Sequence, residues 1–121
     1  MTQKQQIKDN LTNYICNQKK DYREIFNLIL KNYDQDTTGA IETDLNLILN
    51  NLFRVINPEI TVQVDFRNQS IQICFSSLFV FDSMTRCFNA FDMIIASQNE
   101  FNSLEDLILE IYLELVLINI N

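Results

Sequence analysis

A single glycine, Gly39, serves a chain of 121 residues that also holds only one proline. Glycine reaches positive φ without steric cost, so a chain with one glycine has one natural place for a sharply reversed turn. That place is Asp34-Gln35-Asp36-Thr37-Thr38-Gly39-Ala40-Ile41-Glu42, where carboxylates and hydroxyls crowd together. The rest of the sequence reads as scaffold or interaction surface.

Periodicity divides that scaffold into two kinds of element. Residues 3–17 read as a helix with Ile7, Leu11, Tyr14 and Ile15 on one stripe. Asp21 and Glu24 have capping-box spacing at the head of a second helix, 22–33, with Tyr22, Ile25, Phe26, Ile29, Leu30 and Tyr33 inward. A third helix, 43–55, carries Leu45, Ile48, Leu49, Leu52 and Phe53 and ends before Pro58. The period then falls to two. Ile60, Val62, Val64 and Phe66 alternate with polar residues, as do Ile71, Ile73 and Phe75, which predicts a β-hairpin over 60–66 and 71–79.

Met84, Cys87, Phe88, Phe91, Ile94 and Ile95 then adopt helical spacing, which predicts a helix over 83–96 capped by Asp82 or Ser83. The last segment, 103–118, opens on a Ser103/Asp106 cap and reads as a helix, although Leu107 to Leu117 also alternate as a strand would. The expected architecture is α+β, with about five helices packed on a small antiparallel sheet in one domain.

Charge is placed unevenly. Residues 1–33 hold six Lys/Arg against three Asp/Glu, a net of +3; residues 34–121 hold three against thirteen, a net of −10. An acidic body repels nucleic-acid phosphates and attracts basic protein surfaces or cations. There is no His, which removes the usual general base near neutral pH and every nucleophile that depends on one. One glycine cannot build a phosphate-binding loop. A catalyst is not expected. Cys16, Cys74 and Cys87 form no C-x-x-C pair and no apolar leader opens the chain, so three free thiols in a reducing, cytoplasmic compartment are expected. For a phage- or virus-encoded chain this would be the host cytoplasm. Glu105, Asp106, Glu110 and Glu114 interrupt the most apolar segment, which argues against a membrane span.

Two constellations stand out. Asp34, Asp36, Thr38, the Ala40 carbonyl and Glu42, with Gly39 at the turn and Ile41 two residues on, fall at positions 1, 3, 5, 7, 9, 6 and 8 of a twelve-residue loop. Residues 25–53 thus resemble a single, incomplete EF-hand. The resemblance implies a Ca²⁺ site, although the closing position is Leu45, Asp44 lies one residue early, and no second loop pairs with it. The same residues also read as an acidic connection between helices, with Gly39 left-handed and Asp/Thr capping the next helix.

The second constellation is an anionic ridge on the last helix: Glu105, Asp106, Glu110 and Glu114, with Leu109, Leu113 and Leu117 beside it. Such a ridge would dock on a basic groove, as a nucleic-acid mimic does on a DNA- or RNA-binding enzyme. The expected function is a small acidic binding protein of the inhibitor, immunity, antitoxin or phage anti-defence type, requiring no cofactor. An EF-hand-like calcium-dependent module and a structural subunit are the alternatives. Because the last helix is apolar around most of its circumference, burial from two sides is expected, within the domain or across a two-fold homodimer contact.

Overall fold

Three helices start on a side-chain acceptor. Thr2 Oγ1 accepts from the Gln5 amide at 3.2 Å, Asp21 Oδ1 from Arg23 and Glu24 at 3.1 and 3.2 Å, and Ser103 Oγ from Asp106 at 3.2 Å. These bonds satisfy donors that a first helical turn otherwise leaves open. They open α1 (Gln3–Cys16), α2 (Tyr22–Asn32) and α5 (Leu104–Ile120). The computed structural model describes residues 2–75, 86–100 and 103–120.

After α2 a short 3₁₀ turn, Tyr33–Gln35, leads to Gly39 at φ 79° and then α3 (Ala40–Ile56). The third helix thus begins at Ala40 rather than at 43. Thr43 lies inside its first turn, donating through both its amide and its hydroxyl to the Gly39 carbonyl at 3.0 and 2.9 Å. β1 (Ile60–Asp65) and β2 (Ser70–Phe75) form the hairpin, with Val62 opposite Ile73 and Val64 opposite Ile71. Ile60, Val62, Val64, Ile71 and Ile73 are all buried, as the alternation required.

The sheet acquires a third strand where a helix was expected. β3 (Phe88–Asn89) pairs antiparallel with β2, Gln72 facing Asn89 and Ile73 facing Phe88, in the order β1-β2-β3. Helix α4 (Phe91–Glu100) begins only after it. Asn89 makes the corner: its Oδ1 accepts from Phe91 at 3.1 Å and Ile71 at 3.0 Å, capping the helix and closing the strand pair together. The helical spacing of Cys87 and Phe88 upstream of Phe91 is coincidental. The expected caps Asp82 and Ser83, Met84, and residues 76–81 lie outside the described residues.

The same register places Cys74 opposite Cys87, and the two form a disulfide with their Cα atoms 4.4 Å apart. That spacing belongs to a non-hydrogen-bonded antiparallel pair. The expectation of three free thiols is therefore corrected: Cys16 alone is free, and it is exposed.

α3 is the hub, packing on β1, α1, α2 and α5. Leu45, Leu49, Leu52 and Phe53 along it are fully buried. On its flank Glu42, Asn46 and Asn50, spaced i, i+4, i+8, run beside β1. Glu42 Oε2 accepts from the Phe66 amide at 3.0 Å, Asn46 Oδ1 from Val64 at 3.1 Å, and Asn50 Oδ1 from Val62 at 2.9 Å. Asn50 Nδ2 also donates to the Val62 carbonyl at 3.0 Å. Four helical residues rise about 6.0 Å and two strand residues about 6.6 Å, so the two rows stay in step. The helix thereby satisfies one edge of the sheet as a neighbouring strand would. Among the described residues, no helix is long and apolar enough to cross a membrane.

Candidate functional site

α5 carries both the charge and the apolar content that the sequence singles out, and its two halves are treated differently. The first half is enclosed. Leu104, Leu107, Ile108, Leu109 and Ile111 are buried, with α1, α3, α4 and β3 packed around the helix. For this half the two-sided burial expected from sequence is met within the domain; the second half, with Leu113 half-buried and Leu117 exposed, is not enclosed. Leu109 consequently does not join a surface ridge.

Nor does Glu105, which is 5% exposed. Its Oε2 accepts from the Thr12 hydroxyl at 2.8 Å and from Arg23 Nη2 at 3.0 Å, while Arg23 Nη1 reaches Oε1, making a fork on the carboxylate. Burial pushes the Glu105 carboxyl up, but the hydrogen bonds from Arg23 and Thr12 outweigh it and hold the group below its ordinary value. Asp106 pairs with Lys8 at 2.8 Å, and that hydrogen bond holds its carboxyl low. Two cations from the basic N-terminal third are thus spent on the first turn of α5.

The second half carries the uncompensated charge. Glu110 and Glu114 are exposed, and among the described residues neither forms an ion pair. Leu113 is half-buried and Leu117 is 55% exposed. Positions 110, 113, 114 and 117 share one helical face. The structure therefore brings together Glu110, Leu113, Glu114 and Leu117 on the outside, buries Glu105 and Leu109, and leaves Asp106 half-exposed but paired with Lys8. Nothing in the spacing separates the two groups, because the arginine that claims Glu105 lies 82 residues away in sequence.

The end of this half is anchored. The Asn119 Oδ1 accepts from the Arg86 amide at 2.9 Å, and its Nδ2 donates to the Arg86 and Leu115 carbonyls at 3.0 and 2.9 Å. One side chain thus joins the last turns of α5 to the chain entering β3.

The Gly39 loop uses its acids as backbone acceptors. Asp36 Oδ1 accepts from Gly39 at 3.0 Å and Ile41 at 3.4 Å, and its Oδ2 from Glu42 at 2.9 Å. Thr38 Oγ1 accepts from Ala40 at 3.3 Å. A calcium ion would have to compete with these bonds for Asp36 and with Phe66 for Glu42. Asp34, Thr38 and Ala40 are exposed. Asp36 and Glu42 line a cleft of about 560 Å³ beside the hairpin turn, whereas Asp44 lines a different groove of about 520 Å³ with Lys19, Lys20 and Leu47. Among the described residues, no group of three or more His, Cys, Asp or Glu side chains is placed to hold a metal ion.

Known protein families, curated proteins and solved structures yield no match to this chain. Its function is to be read from this chemistry alone.

Proposed function

We propose that this protein is a small, non-catalytic binding protein that masks a basic surface of a protein partner with the outer face of α5. The observation that carries the reading is the placement of Glu110 and Glu114, exposed and without counter-ions among the described residues, beside Leu113 and Leu117. Two carboxylates one helical turn apart repeat negative charge along a line, which a phosphate-binding groove is built to receive. The leucines supply the apolar anchor that charge alone lacks, since rim charges set on-rate and register more than affinity. The absence of His and the use of Asp36 and Glu42 as backbone acceptors support a role without catalysis. An inhibitor, immunity protein, antitoxin or phage anti-defence protein acting on a nucleic-acid-binding enzyme fits this description.

The test is capture of partners from the native source by wild type and by the Glu110→Lys/Glu114→Lys variant. A partner retained by wild type, lost by the variant, displaced by nucleic acid and slower to associate as salt rises would support the reading. A partner held equally by both proteins would refute it.

A further inference from the structure

The Cys74–Cys87 disulfide lies at the sheet surface, with Cys87 exposed and Cys74 half-buried. An exposed disulfide is open to attack by a thiolate, unlike one sealed in a core. The residue preceding Cys87 is Arg86, and among the described residues its hydrogen-bond partner is the Asn119 side chain, through both backbone groups. Asn119 belongs to the same last turns of α5 as Glu114 and Leu117. A covalent tie on the sheet is therefore separated by one residue and one side chain from the last turns of α5, the helix that also carries the proposed docking face.

We infer that the Cys74–Cys87 disulfide is a reversible redox switch that sets the order of the last turns of α5. Its functional meaning, control of partner docking, rests on the reading above; the switch itself does not. A dithiol reductant supplies the chemistry. Its thiolate attacks the exposed Cys87 Sγ, the Cys74–Cys87 bond breaks, and Cys74 leaves as a thiolate that takes up a proton. The second thiol of the reductant then attacks the mixed disulfide and releases Cys87 as a thiol. The reductant ends as a disulfide, having passed two electrons and two protons to the protein.

The bonds that survive reduction define the effect. Residues 88–91 stay attached through the β2–β3 pairs, the Ala90 amide on the Ile71 carbonyl at 2.9 Å, and the three bonds of the Asn89 side chain. Ile71, Ile73, Ile108 and Ile111 are fully buried and are not held by the disulfide. Arg86, however, loses the covalent tie next to it and is left on two exposed hydrogen bonds. Local opening is drawn from such weakly held segments, so the C-terminal turns of α5 should fray while the core holds.

Native-state hydrogen exchange with and without dithiothreitol tests this, and no partner is needed. The expected result is about tenfold less protection at the amides of residues 116–120 on reduction, the size of effect that one lost hydrogen-bond clamp gives. Residues 60–64 and 71–73 should be unchanged. Cys74→Ser/Cys87→Ser without reductant should reproduce the reduced pattern. Asn119→Ala should produce it in the oxidised protein, with no further change on reduction. Four results would each overturn the switch: unchanged protection in α5, loss of protection across the whole sheet, a disulfide that dithiothreitol cannot open in the native protein, or Cys74 and Cys87 already free to alkylation before reduction. Failure here leaves the docking face standing, and failure of the Glu110→Lys/Glu114→Lys test leaves the switch standing.

Discussion

Helices α3 and α5 are each seventeen residues long, and each carries a polar row at i, i+4, i+8: Glu42, Asn46 and Asn50 on one, Asp106, Glu110 and Glu114 on the other. The first row turns inward onto the edge of β1, and the second turns outward after a single lysine pairs with its first member. The difference arises from the donors each row meets rather than from spacing: backbone amides along β1 and at Phe66 reach Glu42, Asn46 and Asn50, whereas the one cation paired with the second row among the described residues is Lys8. Only Asn50 also donates back to the strand, and a carboxylate only accepts. A carboxylate row left without donors therefore has to face water or a cationic partner. Polar rows of equal period thus end in opposite places: one is bonded to the edge of the sheet, and the other faces outward.

The contrast is broken most severely at Asn50. Asn50→Leu would leave the Val62 amide and carbonyl without their side-chain partners beside a buried residue. An unsatisfied buried group costs about 1–3 kcal/mol, so a loss of about 3 kcal/mol in urea unfolding is expected. Asn46→Ala removes one acceptor from the same row and should cost about 1 kcal/mol. If both variants unfold like wild type, the edge-capping role of α3 is wrong.

Within α5 itself, Arg23→Met should cost about 2 kcal/mol at pH 7, less than breaking a fully buried pair because Arg23 is half exposed. Its pH dependence sharpens the comparison. In wild type the Glu105 value is lowered, so its stabilisation is complete above the ordinary 4.5 and is lost as pH falls through the folded value. Without Arg23, burial acts on the carboxyl with only Thr12 and a backbone hydrogen bond opposing it, and the folded value rises. Glu105 then destabilises the fold as pH rises through that value and is relieved by acid. The gap between variant and wild type should be widest at neutral pH, narrow toward pH 4 as the variant is relieved, and close only below the folded wild-type value, as urea midpoints at neutral and acid pH would show. A constant gap would mean that Glu105 is not the group responsible.

Much of the scaffold was legible because its causes are local. Asp21 with Glu24 and Ser103 with Asp106 cap adjacent turns, and the apolar periods of α2, α3 and the hairpin are written in consecutive residues. The failures have non-local causes. Asn89 had to be read as the cap of α4, yet the apolar spacing ran on through Cys87 and Phe88, whose strand pairing depends on β2. The Glu42–Asn46–Asn50 ladder arises only when a helix and a strand run side by side at matched rise, and no window of sequence contains that match. Glu105 and Glu110 look alike until α1 and α2 supply Thr12 and Arg23 to one of them. The site was therefore half legible: its helix and its chemistry could be named, but not which carboxylates reach the surface.

The smallest expected effect on stability falls at the outward row, and its sign is the informative part. Glu110 and Glu114 are like charges one turn apart, an arrangement that destabilises a helix by about 0.2–0.5 kcal/mol. Glu114 also stands in the C-terminal half of α5, where the helix dipole disfavours negative charge. Reversing both to Lys exchanges one like-charge pair for another but places cations toward the favourable end. Glu114→Lys alone converts the repulsion into an attraction. The single variant should therefore be more stable than wild type by about 0.5 kcal/mol or less, seen as a small rise in the urea midpoint at low salt that fades as salt is added. An acidic residue that weakens its own helix adds nothing to the fold, and the docking face proposed above would account for it as stability given up for recognition. If Glu114→Lys is instead less stable than wild type, the carboxylate holds something in the fold, and the outward row loses its claim to be free for a partner.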